Sequence, residues 1–526
     1  MNQGTRPLPL LLLVGIALGV SAPAQADWNA ELAAIDAQIR AVAGATHPEG
    51  NAVNVLAGVS PANLEQKRLI LAAAGLNWFA PPNASGSYNY GNFYSFTGTA
   101  GQTDTQLRLV ETTGATLLYR RGFPNEPAQR LGAWWGSSYL SPEATRDKLA
   151  VLDAWGNPLS GIYVLSVPAG TRMIAGLAAP MQAGDEFRPG GATQYWLNSR
   201  DNTWLVHALH APDYLGSYVL ALAGAQKMDR ETLEGVTAQL RDLAPDGERG
   251  TDSSNRGFDS WFRFTSGDTD YRPLPGNAIA ARGESFLWGS GATLIGSSRT
   301  ARLHAGVMVG RATLRQTDTL GGLANRIAGD FGGLYGVYRQ PSATRLPWYV
   351  SGTLRAGRLR FDNTVPGYLG RGLTQRYRGR LLSGSLEAGL PLALGRGWTV
   401  ASHAQLAASR VAHDDFRDAL GAVVAIDRSH TIRARLGAQL EKTLLQRQGR
   451  ELSLRMGAAA IRELSGDTAI EVAGETATGR RFDPVYQIDA GLRFRWADRY
   501  ELRTAVGRIA GDENGYLGSA SLAIGW

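Results

Sequence analysis

The sequence predicts a multidomain chain: a 12-stranded transmembrane antiparallel β-barrel over residues 258–526, an α-helix able to thread it, and a small α+β domain ahead of both. Three observations predict this. From Tyr486 to Trp496, apolar Tyr486, Ile488, Ala490, Leu492, Phe494 and Trp496 alternate without a break against Gln487, Asp489, Gly491, Arg493 and Arg495. A strand has period two, so rings face one side and arginines the other, the pattern of a strand with lipid on one face and a polar lumen on the other. From Phe258 onward such strands recur, for example Leu303 to Val309, Trp348 to Phe361, Leu381 to Leu390 and Trp398 to Val411, separated by the turn-rich segments Gln316 to Gly322, Asp362 to Gly370 and Gly511 to Gly515. Roughly 10 to 11 residues per strand plus loops makes twelve the natural count. Finally, no apolar run beyond the N-terminus approaches the ~20 residues of a membrane-spanning helix, which leaves a closed barrel as the way to live in a bilayer.

Composition narrows the function. The 526 residues contain no cysteine, which excludes a disulfide framework and a thiolate metal site. A formal charge of +7, with arginines dispersed along strands, gives little support to nucleic-acid binding. The 65 glycines suit a tightly curved barrel with a filled lumen.

Taken in order, residues 1–26 read as a secretory signal peptide: Arg6, the apolar run Leu8 to Val20, then the small-residue site Ala24-Gln25-Ala26. Residues 27–106 form a helical and loop part, with helical periodicity from Asp27 to about Leu76 interrupted by His47 to Val59, then a stretch rich in Gly, Ser, Asn, Thr and Tyr. Residues 107–225 form a compact unit with candidate strands Ala115 to Arg120, Gly161 to Val167, Thr193 to Asn198 and Leu205 to Leu209. Residues 226–257 hold a linker helix from Met228 to Leu243, with Leu233, Val236, Leu240 and Leu243 on one face, and a polar tail. About 16 residues at ~1.5 Å each span about 24 Å, enough to thread much of a barrel.

Signal peptide, helix and a C-terminal barrel ending in a strand at Trp526 resemble the autotransporter family of type V secretion. Ser383 to Gly389 and Ala404 to Ser409 are similar to that family's mid-barrel strands. The resemblance implies that the helix sits in the lumen, that the barrel is built into the outer membrane by the barrel-assembly machinery, and that it brings its own passenger, residues 27–225, to the cell surface. Glu387 and the lumen arginines would then be buried charge partners.

Chemistry, if any, falls on the passenger. In Phe187 to Tyr195, the pair Gly190-Gly191 allows a sharp fold or close approach to a ligand and delivers Gln194 at the start of a strand beside Tyr195. The same glycines also read simply as a turn. Leu117 to Phe123 is a strand ending in Arg120 and Arg121, whose forks grip a pyrophosphate well but equally suit a solvated strand end. Gly136 to Pro142 sets Tyr139 in a turn, as ligand contact or core ring, and Arg146 heads a helix. In order, these motifs with Ala179-Pro180 and Pro-Gly-Gly-x-x-Gln-Tyr resemble the tuberculosis-necrotizing-toxin family of NAD glycohydrolases, related in fold to ADP-ribosyltransferase toxins.

That resemblance, over about 115–197, implies an ADP-ribosyltransferase-like α+β fold and cleavage of NAD to nicotinamide and ADP-ribose, with NAD as substrate and no cofactor. It implies Gln194 as the catalytic glutamine orienting ribose or the attacking water, Arg120 and Arg146 clamping the pyrophosphate with Arg121 as the fallback for Arg120, and Tyr139 against nicotinamide or its ribose. Gly190, Gly191 and Tyr195 would complete the substrate site. Clamped phosphates and a polar group on the ribose suit a transition state that builds positive charge as the neutral base departs. Glutamine leans toward hydrolysis. Transfer of ADP-ribose to a protein, or a passenger with no activity that acts as an adhesin, are the alternatives, and no repeat of 20 to 50 residues supports the adhesin. A toxin reading adds a target cell or an immunity protein as partner. Ser290 and Ser385 fall in barrel strands and offer no esterase nucleophile, and His207 with His210 lacks the acids of a metal site.

Overall fold

The computed structural model describes residues 27–46, 61–73, 76, 108–127, 131–178, 181–197, 201–243, 258–274, 278–295, 301–318, 322–340, 347–480, 484–497 and 499–525. The expected signal peptide, residues 47–60, 74–75 and 77–107, Ala179-Pro180, residues 244–257 and Trp526 lie outside the described residues.

Two helices, α1 (Trp28–Thr46) and α2 (Pro61–Ala73), lead into the strands β1 (Arg108–Glu111), β2 (Thr116–Gly122) and β3 (Trp134–Gly136). Then come α3 (Pro142–Leu149), β4 (Gly161–Val167), β5 (Arg172–Leu177), the hairpin β6 (Met181–Ala183) and β7 (Glu186–Arg188), β8 (Thr193–Trp196), β9 (Leu205–His210) and α4 (Ala211–Leu243). The N-terminal strands make one antiparallel sheet in the order β1-β5-β8-β3-β2-β4-β9. Asn29 of α1 bonds both the N–H and the C=O of Leu109, which covers the β1 edge of that sheet. Wherever exposed edge groups remain, they invite pairing with another chain, so covering them matters.

The barrel follows: β10 (Phe258–Tyr271), β11 (Ile279–Ile295), β12 (Arg302–Asp318), β13 (Ala324–Arg339), β14 (Tyr349–Val365), β15 (Leu373–Gly395), β16 (Trp398–Ala412), β17 (Phe416–Arg417) and β18 (Val423–Arg447). β19 (Arg450–Val472), β20 (Glu475–Thr478), β21 (Val485–Trp496), β22 (Tyr500–Gly511) and β23 (Glu513–Gly525) complete it. β23 pairs with β10, so the sheet closes; β17 and β20 only extend β18 and β19 at one end, and the wall itself has the twelve strands expected. Along β21, Tyr486, Ile488 and Leu492 are exposed while Arg493 is buried in the lumen, the alternation expected from sequence. Several strands run well past the expected 10 to 11 residues, β15 to 23 and β18 to 25, because they continue beyond the apolar band and carry the N-terminal domain.

The helix begins at Ala211, directly after β9, rather than at Met228. The linker therefore has no break from the sheet into the barrel, and the boundary expected at 225/226 falls inside one helix. Its 33 residues span about 50 Å. Nor is one face wet: Lys227, Asp229, Arg230, Thr232, Thr237 and Gln239 are as buried as Leu233, Val236 and Leu240, since barrel wall surrounds the helix. The charged ones are paired with that wall, as buried charges must be, while Thr232 and Thr237 donate to the helix's own carbonyls of Met228 and Leu233. Asp229 meets Arg355, Arg433 and Ser383; Lys227 and Arg230 meet Glu513; Arg241 donates to Glu387 at 2.8 Å. Glu387 also accepts from the Tyr349 hydroxyl at 2.8 Å, the buried structural role expected of it.

Tyr349 lies across the sheet from Gly389, and a Cβ there would overlap the hydroxyl-bearing edge of the tyrosine ring. Gly389→Ala is therefore expected to destabilise the barrel by about 1–3 kcal/mol through overpacking, read as an earlier heat-induced shift in gel mobility. An unchanged transition would mean that the ring swings aside freely.

Candidate functional site

The motif around Tyr139 is first of all a helix start. Ser141 caps α3, its Oγ accepting from the Ala144 N–H at 3.2 Å, with Pro142 in the first turn where a missing N–H costs nothing. The paired glycines close the other end. Gly190 and Gly191 both have positive φ (67° and 94°), and the turn they make sends the N–H of Gly190 to Asp147 O at 2.8 Å and that of Ala192 to Lys148 O at 2.9 Å. Those are carbonyls of the last turn of α3, which would otherwise lack partners. The Gly-Gly turn thus fastens β8 to α3, and it places Gln194 in the sheet interior.

Strand parity then sorts the candidate residues. Tyr119 of β2 stands opposite Gly136 of β3, which stands opposite Gln194 of β8, which stands opposite Gly176 of β5. Partners across a sheet share a face, so Tyr119, Arg121 and Gln194 point one way while Arg120 and Tyr195 point the other. The expected convergence of Arg120 on Gln194 is corrected by this geometry; the fallback, Arg121, is the arginine on the glutamine's face. Arg120 instead lies beside Tyr163 and reaches Glu126 at 3.4 Å, with burial pulling its guanidinium below the ordinary value and Glu126 opposing that. Tyr195 packs with Trp135 in the outer cluster of the sheet. Arg146 is held by Asp153 at 2.7 Å and by the Asn157 carbonyl at 2.9 Å, and Asp153 also holds Arg188.

Gln194 is only 5% exposed, flanked on both neighbouring strands by glycines, and its Oε1 has no hydrogen-bond partner. A buried amide oxygen left open is uncommon and marks a place where a donor fits. Arg121 and Tyr139 lie on that side of the sheet as a bonded pair: the Arg121 fork donates to the Tyr139 hydroxyl, to Leu140 O at 2.7 Å, to Leu159 O at 3.1 Å and to Glu475 of the barrel at 2.7 Å. Burial pushes the Tyr139 phenol well above its usual value, with the Arg121 charge opposing.

Glu475 had no signal in the sequence, being 354 positions away from Arg121. It belongs to a set of contacts that seat this face of the sheet on one mouth of the barrel. The edge strand β9 bonds the connection between β14 and β15, with Ala208 N–H on Arg371 O at 3.0 Å and Leu209 bridging Gly367. In the same place His207 Nδ1 lies 2.8 Å from Gly372 O, while His210 turns to Asp213, so the two histidines do not form a ligand pair. From the start of α4, the hydroxyls of Tyr214 and Tyr218 both donate to Asp418, whose carboxyl burial raises above its ordinary value. Tyr139, Ile162, Val164, Tyr214 and the barrel residues Tyr377 and Leu420 share one continuous apolar core. Ser290 and Ser385 sit in β11 and β15, bonded to Asp259 O and Thr353.

Residues 256–507 match the family described as Autotransporter beta-domain. The pertactin autotransporter of Bordetella bronchiseptica is 31% identical over 169 residues, 30% of this chain and 18% of that protein. The adhesin BmaC autotransporter of Brucella suis biovar 1 is 28% identical over 169 residues, 30% of this chain and 5% of that protein. The chain thus covers under a fifth of the length of these relatives. Among solved structures, the translocator domain of autotransporter NalP from Neisseria meningitidis has 15% identity and a TM-score of 0.43, covering 59% of this chain and 98% of that one. The beta domain of the Bordetella autotransporter Brka has 19% identity and a TM-score of 0.41, covering 51% of this chain and 99% of that one.

Proposed function

From an autotransporter barrel in the outer membrane with the N-terminal domain exposed at the surface, we propose that the barrel exports residues 27–225, keeps them docked on its mouth, and that this domain hydrolyses NAD. The observation that carries the docking is the unbroken α4, which leaves the sheet at Ala211 and ends inside the lumen. For the chemistry, the support is the resemblance of the motifs and one feature of the site: the open, buried Oε1 of Gln194 between two glycines, on the face that holds Arg121 and Tyr139. In this reading Gln194 accepts a bond from a ribose hydroxyl or from the attacking water. Arg121 takes the pyrophosphate by exchanging Glu475 for it, a bidentate partner for a monodentate one. Arg120, on the opposite face, and Arg146, engaged by Asp153, are left outside the site.

The test is NAD consumption by the full chain, less its signal peptide, in detergent, with nicotinamide and ADP-ribose quantified. Gln194→Ala is expected to lower turnover by about 10²-fold or more, the size of losing one preorganised polar contact to the transition state. Nicotinamide release only in the presence of an acceptor protein would make the domain a transferase.

A second reading has its own observation. The Arg121 guanidinium is already held by the Leu140 and Leu159 carbonyls and the Tyr139 hydroxyl, and Glu475 closes the fork, an arrangement that also suits a purely structural role. If neither the wild type nor Glu475→Gln turns NAD over, the domain is a binding module at the surface, the class that the printed name of the Brucella relative points to.

A further inference from the structure

The outer wall of the barrel carries an arginine array that the translocator role does not use. From Trp348, just ahead of β14, the outward positions run Val350, Gly352, Leu354 and Ala356, then change to Arg358 and Arg360; on β15 the exposed Leu386 and Leu382 give way to Arg380, Arg378 and Arg376. About ten residues from Trp348 to Arg358, at ~3.3 Å each and tilted ~45°, rise roughly 23 Å, close to the ~25 Å height of a lipid-facing band. The arginines therefore begin where hydrocarbon ends, on the side of the membrane that bears the N-terminal domain.

Their register sets like charges side by side. Arg358 stands directly opposite Arg380, Arg360 opposite Arg378, and Arg315 of β12 between Arg282 and Arg326. Directly opposed like charges on one sheet face are destabilising. On the other side, Asp330 stands opposite Arg358 and Asp362 opposite Arg326, yet the carboxylates of this wall are engaged by other arginines. Asp330 already holds Arg311 and Arg360, Asp362 holds Arg376, and Asp414 holds Arg380. Among the described residues, Arg315, Arg326, Arg358, Arg378 and Arg410 make no ion pair with a carboxylate. Open grooves run between these rows, one floored by Arg358, Arg378, Arg380 and Arg410, a second by Arg326, Arg376 and Arg378.

We propose that this wall, from β12 to β16, binds the phosphate groups of a phosphorylated glycolipid in the outer leaflet. Guanidinium forks match phosphate oxygens in pairs and are only weakly hydrated, and basic grooves beside a membrane-spanning wall are suited to anionic headgroups. The acyl chains would lie on Leu354, Leu382, Leu386 and Leu406 directly below, all exposed on the outer wall.

The experiment takes the full chain purified in detergent and titrates it, by native mass spectrometry, with a bis-phosphorylated diglucosamine glycolipid and with its dephosphorylated form. The dephosphorylated lipid is expected to bind about 10-fold or more weakly, as is the phosphorylated lipid to Arg358→Ser/Arg378→Ser, given the strength of hydrogen bonds to charged groups. A heat-induced mobility shift checks that the double variant is folded; should it not fold, the two lipids on the unaltered protein decide. Equal binding of both lipids, or a folded double variant that binds like the wild type, overturns the proposal. So does complete displacement by millimolar inorganic phosphate, which would make the wall a general anion patch rather than a headgroup site.

Discussion

Asp229→Ala is expected to cost the folded barrel about 3–5 kcal/mol, the effect of removing one partner from a buried charge network. Asp229 is 1% exposed in the middle of α4, and it is met by Arg355 from β14, by Arg433 from β18 at 3.4 Å and by the hydroxyl of Ser383 at 2.8 Å. Without the carboxylate, two guanidiniums that are themselves buried lose the counter-charge they share. The cost comes from stranding those cations rather than from losing an attraction, so the companion variants separate the two. Asp229→Asn keeps an acceptor and is expected to lose less. Asp229→Leu with Arg355→Met and Arg433→Met removes the charges together, and well-packed apolar replacements of such networks are often neutral or stabilising. The measurement is the denaturant midpoint of the full chain in detergent. A loss below about 1 kcal/mol for Asp229→Ala would mean that water reaches the network and that the helix is held by its apolar contacts, since exposed pairs contribute that little.

The barrel was legible because its two solvents are chemically opposite. Tyr486, Ile488 and Leu492 face outward while Arg493 faces inward, a contrast a packed soluble sheet rarely presents, and twelve repeats of it set the strand count. The start of α4 was illegible for the complementary reason. Between Tyr214 and Ala225 the helix is enclosed by the sheet, by Asp418 and by the barrel mouth, and nearly every residue there is buried. A 3.6-residue stripe requires one face in water, so a helix apolar all round carries no stripe to read. The periodicity emerges at Met228 only because charged residues begin there, and they turn out to be buried against the wall.

At the candidate site, the residue types were visible and their placement was not. Within β2 the sequence fixes that Arg120 and Arg121 diverge, because successive side chains alternate. It does not fix which of them shares a face with Gln194, because that depends on the register Tyr119–Gly136–Gln194 across three strands. Register comes from tertiary packing. The Tyr-Leu-Ser-Pro and Gly-Gly signals likewise had a local meaning, the two ends of α3, that is compatible with a ligand site without requiring one. The partner of Arg121 lay in β20, a short strand that extends β19 beyond the barrel wall, which no local pattern indicates.

Asp418→Ala is expected to loosen the N-terminal domain from the barrel mouth. Asp418 sits in the hairpin from β17 to β18, where one carboxyl oxygen accepts both tyrosine hydroxyls, Tyr218 at 2.9 Å, and the other accepts the N–H groups of Leu420 and Ala422 at 2.9 and 3.0 Å. Truncation leaves two hydroxyls buried without a partner, at about 1–3 kcal/mol each. An intermediate loss near ~3 kcal/mol corresponds to about a 10²-fold larger open population, since ~1.4 kcal/mol is a factor of ten. Hydrogen exchange of the full chain reads this directly: amides at the start of α4 and in β9 are expected to exchange about 10²-fold faster, while those of the barrel strands stay unchanged. Adding Glu475→Ala, which removes the barrel partner of the Arg121 fork, is expected to raise exchange further, because the two contacts lie on β20 and on the β17–β18 hairpin and join different elements of the domain. If exchange in α4 is unmoved in the double variant, the docking rests on the backbone bonds between β9 and residues 367–372, and the aromatic and carboxylate contacts follow from that pairing instead of holding it.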